Sequence, residues 1–348
     1  MRIAVVAPLH EAVPPKLYGG TERVVSYLTE ELVGLGEDVT LFASGDSVTS
    51  ATLVEGCRQA LRLDPNCQEP ALPHLIQADL VTRLQDDFDI IHFHGEPYHF
   101  PTAAAAKVPT LTTLHGRLDL PDYLPFYRHF AKLPLASISA SQRRPSPNLA
   151  WQGTVHHGLP PDLLRPRPGK GGYLAFLGRI SAEKGVIAAI AIARRVGLPL
   201  RVAAKVDPRD QAYYEKIRPH LDSPHVEFVG EITDTQKNDF LGDAAALLFP
   251  IDWPEPFGLV MIEAMACGTP VLAFRQGAVP EIIEDGVTGC LVDGIDAAVA
   301  ACARIDALDR AAVRRRFEQR WTARRMANDY VALYERLIRD AALPPGGG

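Results

Sequence analysis

Two apolar runs, RIAVVAP (2–8) and YLAFLGR (173–179), each lead through a glycine-containing loop into a segment with helical apolar spacing. That repetition limits the fold more than any other feature of the chain. In the first copy the loop KLYGGTE precedes TERVVSYLTEELVGLG, where Val24, Val25, Leu28, Leu32 and Leu35 fall on one helical face. Gly34 and Gly36 predict the helix end, and DVTLFAS (38–44) reads as the next strand. Strand, helix and strand in that order open an α/β domain with a parallel sheet.

The pattern continues with DIIHFHG (89–95), VPTLTTLHG (108–116) and LPLASISAS (133–141), each predicted as a strand ending in polar residues. Residues 45–85 predict at least one helix. Ligands of open parallel sheets collect at the carboxyl ends of the strands, so His94, His115 and Ser139 are expected at one crevice. The Pro- and Gly-rich stretch GLPPDLLRPRPGKGG (158–172) reads as a linker. After it the alternation restarts. Strands are predicted at LPLRVAAK, VEFVG, AALLFP and TPVLAF, with helices following YLAFLGR and around 209–219, 233–241 and 257–267. VPEIIEDG predicts a short helix, and residues 296–340 are helical, with Trp321, Met326, Tyr330, Leu333 and Leu337 at packing intervals. The expected divisions are 1–160, a linker at 161–171, 172–325, and a helix at 326–343 able to cross back to the first half. The ending PPGGG (344–348) is expected to fray.

Composition narrows the function classes. The net charge of −6 over 348 residues provides no positive field to recruit nucleic acid. Five cysteines without a C-x-x-C pair argue against a disulfide framework or a zinc ribbon, and fit the reducing cytoplasm. The start, MRIAVVAPLH, is too short an apolar run for a signal peptide, and no stretch approaches the roughly 20 apolar residues of a membrane helix.

Chemistry concentrates in WPEPFGLVMIEAMACGTPV (253–271). A helix over 257–267, restricted ahead by Pro254 and Pro256 and stopped by Gly268, directs the amides of Phe257, Gly258 and Leu259 out of its N-terminus. Such an end binds anions, and Gly258 admits a ligand close to the backbone. Glu255 lies just outside it. Glu263 lies inside, among apolar neighbours, where a carboxylate needs a hydroxyl or a basic partner unless it sits exposed on a helix edge. LGRISAEKG (177–185) puts Arg179 and Lys184 at a strand-to-helix junction, two cations suited to a diphosphate.

Together, GRISAEKG, EPFGLVMIEAMACGTPV and GAVPEIIEDGVTGCLV (277–292), with YGGTERV and TLHG earlier, resemble the retaining glycosyltransferases of family four. The resemblance spans nearly the whole chain and is weakest at 45–85 and 117–150. It implies the α/β GT-B fold, two Rossmann-like domains whose parallel sheets face a cleft, and a metal-independent hexosyltransferase that uses no cofactor. The donor is a sugar nucleotide of UDP, GDP or ADP type, and the acceptor a sugar, a lipid-linked molecule or a natural product. On this resemblance Arg179 and Lys184 contact the diphosphate, Glu263 holds ribose hydroxyls and Glu255 contacts the donor sugar. The amides of Phe257, Gly258 and Leu259 bind sugar and phosphate. Gly20 approaches phosphate, His115 lies near the donor sugar, and Tyr18, His94 and Glu96 serve the acceptor. The base is read around Gly230, Glu231 and Ile232, and Lys205 at a strand end faces the nucleotide.

Other features admit plainer readings. His156 and His157 stand where many relatives have asparagine; they either line the cleft or pack at the linker, and packing is the preferred reading. The seven arginines between 310 and 325 read as a solvated helical face with Glu318 and Asp309 as partners. They and YRHFAKL (127–133) are the places where peripheral membrane contact would occur. The rival functions are a sugar-nucleotide epimerase on a similar fold and a binding protein without catalysis.

Overall fold

The computed structural model describes residues 1–16, 19–95, 97–169 and 172–343. The first half contains strands β1 (Arg2–Val6), β2 (Asp38–Ser44), β3 (Thr52–Cys57), β4 (Ile90–Phe93), β5 (Thr110–Thr113), β6 (Leu135–Ser137) and β7 (Trp151–Thr154). Its helices are α1 (Gly20–Gly34), α2 (Ala71–Leu84), α3 (Phe100–Ala105) and α4 (Tyr123–His129). The second half contains β8 (Leu174–Arg179), β9 (Leu200–Lys205), β10 (Val226–Gly230), β11 (Ala246–Phe249), β12 (Val271–Phe274) and β13 (Gly289–Val292). Around them lie α5 (Val186–Val196), α6 (Gln211–Leu221), α7 (Asp234–Gly242), α8 (Leu259–Ala266), α9 (Val279–Ile282), α10 (Ile295–Ile305) and α11 (Arg310–Arg320). The last element among the described residues is α12 (Ala323–Ala342).

Two compact units result, one of Met1–Gly158 with Ala323–Gly348 and the other of Leu159–Thr322. The first holds a seven-stranded sheet in the order β3-β2-β1-β4-β5-β6-β7, the second a six-stranded sheet in the order β10-β9-β8-β11-β12-β13. Every pairing is parallel. In each sheet the chain winds outward in one direction and then in the other. The order reverses between β1 and β4 in the first unit and between β8 and β11 in the second. Each reversal leaves a crevice at the carboxyl ends of the two central strands.

The central strands are apolar on both faces, as a sheet covered by helices requires. Ile3, Ala4, Val5, Ile90 and Ile91 are buried in the first unit, and Leu174, Ala175, Leu247 and Leu248 in the second. Strand β3 lies in the span 45–85, and β7 follows β6 as the edge strand of the first sheet. Their half-exposed residues explain why neither gives a continuous apolar run.

Helix α12 belongs to the first unit and docks by one stripe, with Met326, Ala327, Tyr330, Leu333, Tyr334 and Leu337 buried. Its polar anchors are an Arg324–Glu31 ion pair of 2.7 Å to α1 and a Tyr334 hydroxyl 2.6 Å from His92 Nδ1 on β4. In YRHFAKL the aromatic side is core: Tyr127 is buried, and Phe126 and Phe130 pack on Phe100.

The stretch expected as a linker is built into the second unit. Leu159 bridges to Thr322. Arg167 pairs with Asp239 at 2.5 Å and Asp243 at 3.0 Å. Two arginines of α11 hold much of the rest, so the solvated reading of the arginine run needs correction. Arg315 does pair with Asp309, and Arg314 with Glu318. Arg310, however, donates to the carbonyls of Arg167, Gly242 and Ala244 and to the Thr269 hydroxyl. Arg314 donates to the carbonyls of Pro161, Leu164 and Ala266, the last at the C-terminal end of α8. A guanidinium fork can satisfy several carbonyls at once, which no exposed charge pattern reveals. Substituting Arg314→Ala should strand these three carbonyls and cost roughly 2–4 kcal/mol of stability. Urea unfolding followed by Trp fluorescence checks this; an unchanged midpoint would exclude the staple.

Candidate active site

The crevice of the second unit is assembled from two loops pressed together. After β8 the chain turns through Ala182–Lys184 and enters α5 at Gly185, whose φ is 74°. A Cβ on Gly185 would lie 1.9 Å from the Pro250 carbonyl oxygen. The Asp252 N–H also donates to the Glu183 carbonyl at 2.9 Å. The loops after β8 and β11 are therefore locked, and Lys184 meets the residues beyond Pro250. Its ammonium pairs with Glu255 and lies 4.9 Å from the Trp253 ring centroid.

Glu255 is held from the other side as well. Its carbonyl accepts the Ala278 N–H at 3.0 Å. Gly277, with φ 53°, passes so close that a Cβ would lie 2.4 Å from the Glu255 nitrogen. The glycine opening GAVPEIIEDG thus exists to let the Glu255 loop pack. Phe257 is buried edge-on against Trp321, with centroids 6.1 Å apart, and fixes the loop to the core. Gly258, at φ 92°, is the N-cap of α8, so the helix begins at Leu259, two residues later than the sequence predicts. The left-handed turn at Gly258 delays it. The first amides of α8 have no acceptor within the helix, which leaves its N-terminus electropositive.

Glu263 is buried, with 2% exposure, which rules out the exposed-edge reading. Its Oε1 accepts from Lys237 on α7 at 2.7 Å, while Oε2 is buried without a hydrogen-bond partner. Arg179, the last residue of β8, donates to Glu183 at 2.9 Å, and its Nε lies 3.2 Å from Asp210. Lys205 ends β9 opposite Arg179, and its carbonyl accepts the Ile180 N–H at 2.8 Å. A hydrogen bond from the Arg209 N–H, with Lys205 and Arg179 nearby, holds the Asp207 carboxyl below its usual range. Gly230, Glu231 and Ile232 leave the end of β10 just ahead of the α7 cap, Glu231 exposed and Ile232 half-buried. Arg179, Lys184, Lys205, Glu231, Ile232, Glu255, Phe257, Gly258 and Leu259 thus all lie on segments at the carboxyl ends of β8 to β11, with Glu263 farther along α8.

In the first unit Gly20 opens α1, behind Gly19, where a Cβ would lie 2.8 Å from Pro15. Tyr18 and Glu96 lie outside the described residues. At the ends of β4 and β5, His94 Nδ1 lies 2.9 Å from His115 Nε2, and the His115 ring stacks on His157 at 5.3 Å. His94 Nε2 is buried and has no hydrogen-bond partner. His92, one strand residue pair inward, bonds Tyr334 and Thr113. Ser139, just past the end of β6, is fully buried, and its hydroxyl accepts the Gln142 N–H at 3.0 Å within the turn that follows. Lys237 escapes the sequence reading, because it sits in a polar helix where a lysine is ordinary; His157, singled out there, packs on His115.

Burial keeps these imidazoles neutral. His99, stacked on Phe93, is pushed down to about 3, and His92, His94 and His157 lie well below their usual value. A histidine lowered in the folded state leaves stability intact above pH ~6.5, and stability is lost as pH falls from there towards the folded value. Each such group steepens the loss by roughly 1.4 kcal/mol per pH unit. Urea unfolding at pH 7 and pH 5 should show a stability loss of several kcal/mol, with a shallower slope in His99→Leu; equal stability at both values would contradict the buried neutral cluster.

Comparison with known proteins agrees with this architecture. Residues 18–151 match the model of Glycosyltransferase Family 4, and residues 165–324 match that of Glycosyl transferases group 1. A glycogen synthase of Mycobacterium tuberculosis is 28% identical over 91% of this chain and 89% of its own length. A phosphatidyl-myo-inositol mannosyltransferase of Mycobacterium leprae is 26% identical over 91% and 90%. Among solved structures, AviGT4, a glycosyltransferase involved in avilamycin A biosynthesis, superposes with a TM-score of 0.73 at 24% identity, covering 97% of this chain and 98% of that one. HepE of Anabaena, solved with UDP and glucose, gives 0.74 at 16% identity over 96% and 99%. With each half matched to its own model and both sheets wound as the fold requires, the chain belongs to the group 1 glycosyltransferases of family 4 and has the GT-B fold.

Proposed function

We propose that the protein transfers a hexose from a nucleotide-diphosphate donor to an acceptor hydroxyl with retention of configuration and without a metal ion. The observation that carries this reading is the state of the cations at the second unit's crevice. Arg179 is balanced by Glu183 and Asp210, and Lys184 by Glu255. A diphosphate replaces those carboxylates with a stronger, more highly charged acceptor at the same place. The N-terminus of α8 adds backbone donors beside it. As the sugar–phosphate bond breaks, charge grows on the departing oxygen, and preorganised cations there lower the barrier. Glu255, released from Lys184, becomes free to accept from donor-sugar hydroxyls, and Glu263 accepts from the ribose. The relative solved with UDP and glucose supports a nucleotide donor, and the base type, UDP, GDP or ADP, is read near Glu231 and Ile232 with Lys205.

The first unit, on the same reading, binds the acceptor with His94 at its crevice, with His115 serving the donor sugar, and presents an anion-facing amide at Gly20. The mannosyltransferase relative supports a lipid-linked acceptor, and the glycogen synthase a sugar. Among the described residues no helix is long and apolar enough to cross a membrane. Retention follows a front-face route, in which the leaving phosphate takes the acceptor proton; trapping a covalent glycosyl-enzyme would overturn it.

Calorimetry with UDP, GDP and ADP and their sugars, with and without chelator, tests the donor. One nucleotide family should bind, unaffected by chelator; no binding by any would sink the reading. Glu255→Gln should lower turnover by about 100-fold or more, because its sugar contact matters in the transition state. The same change frees Lys184, so diphosphate affinity should hold or rise. Equal losses of turnover and affinity would assign Glu255 to binding alone.

A further inference from the structure

Helix α7 buries Phe240 and Leu241 near its C-terminal end, and a charged side chain of its first turn, Lys237, also turns inward. A capping box between Thr233 and Gln236 fixes the helix start immediately after Ile232. Lys237 then falls one turn in, and only 14% of its side chain is exposed. Its ammonium lies 3.2 Å from Asp234 on its own helix and 2.7 Å from Glu263 Oε1 on α8. Asp234 thus steadies the ammonium from one side while the ammonium steadies Glu263 from the other.

The division of labour between the two Glu263 oxygens is the informative point. Oε1 is taken, and Oε2 is buried without a hydrogen-bond partner. A buried acceptor left unsatisfied costs about 1–3 kcal/mol, so the arrangement suits a site that a ligand hydroxyl completes. An ammonium is a point donor that can take one carboxylate oxygen. A guanidinium would present a fork that takes both.

We propose that Lys237 is a positioning residue for donor recognition: it fixes Glu263 through one oxygen and leaves the other for a ribose hydroxyl. This rests on the donor reading given above. Lys237 therefore sets the discrimination between ribose and deoxyribose without itself touching the reacting atoms.

The test measures Kd for whichever of UDP, GDP and ADP binds, and for its 2′,3′-dideoxy counterpart. The wild type should favour the ribonucleotide by about 10-fold or more, as expected for a hydrogen bond to a charged acceptor. In Lys237→Gln, Glu263 loses its anchor, and the preference should fall to roughly threefold or less. Lys237→Arg keeps the charge and guards against a folding defect in the neutral variant. It should lose the preference too, because the fork engages both oxygens. A general loss of structure would weaken both nucleotides alike and leave their ratio unchanged. Either variant retaining the wild-type ratio overturns the proposal. A wild type that binds both forms equally overturns it while the donor reading stands, and a wild type that binds no nucleotide overturns both.

Discussion

At Gly185 the second unit brings two loops closer than any side chain would permit, with 1.9 Å between a virtual Cβ and the Pro250 oxygen. Much of the candidate site follows from that approach. It lies at the reversal point of the sheet, beyond the carboxyl ends of β8 and β11. It also sets Lys184 against Glu255 and Trp253. A larger residue would have to push the β11 loop away, and Glu255 would move with it. Gly277 repeats the device on the far side of Glu255. Two glycines at positive φ thus clamp one carboxylate between them, so the catalytic candidate is placed by backbone contact more than by its own hydrogen bonds.

Electrostatics in the free protein are internally balanced. Arg179, Lys184 and Lys237 each have carboxylate partners. Pairs at a crevice mouth keep the cations ordered and ready, at the cost of an exchange when an anionic ligand arrives. Glu263 differs because it is buried and half-satisfied. The first unit takes the opposite approach. Its His92, His94, His99 and His157 are buried and held neutral, and His94, His115 and His157 meet through ring contacts and hydrogen bonds rather than charge. Neutral imidazoles suit recognition of hydroxyl groups, since each ring can donate through one nitrogen and accept through the other.

How much was legible beforehand differs by element. Strands β1, β4, β8, β11 and β12 were legible because strands buried on both faces need uninterrupted apolar runs. Edge strands β3 and β7 were not, because half-exposed strands mix polar and apolar residues. In the site, Arg179, Lys184, Glu255 and Glu263 were legible from spacing around glycines and from a carboxylate among apolar neighbours. The role of the Ser139 hydroxyl in the turn after β6 was not legible, since a polar residue at a strand end can serve a turn as easily as a crevice. The arginines of α11 look solvated in sequence because their acceptors are backbone carbonyls from distant segments.

The sequence by itself determined the alternation of strands and helices, its restart after the Pro-rich stretch, and the clustering of acids, cations and glycines at strand ends. Local periodicity and backbone restriction act over a few residues, and these features need no more. Only the tertiary structure decided which acid neutralises which cation, that Lys237 reaches Glu263, and that α12 belongs to the first unit. Those outcomes depend on contacts between residues up to hundreds of positions apart, such as Tyr334 with His92. The sheet order and the packing of helices on it create such contacts, and no local pattern encodes them.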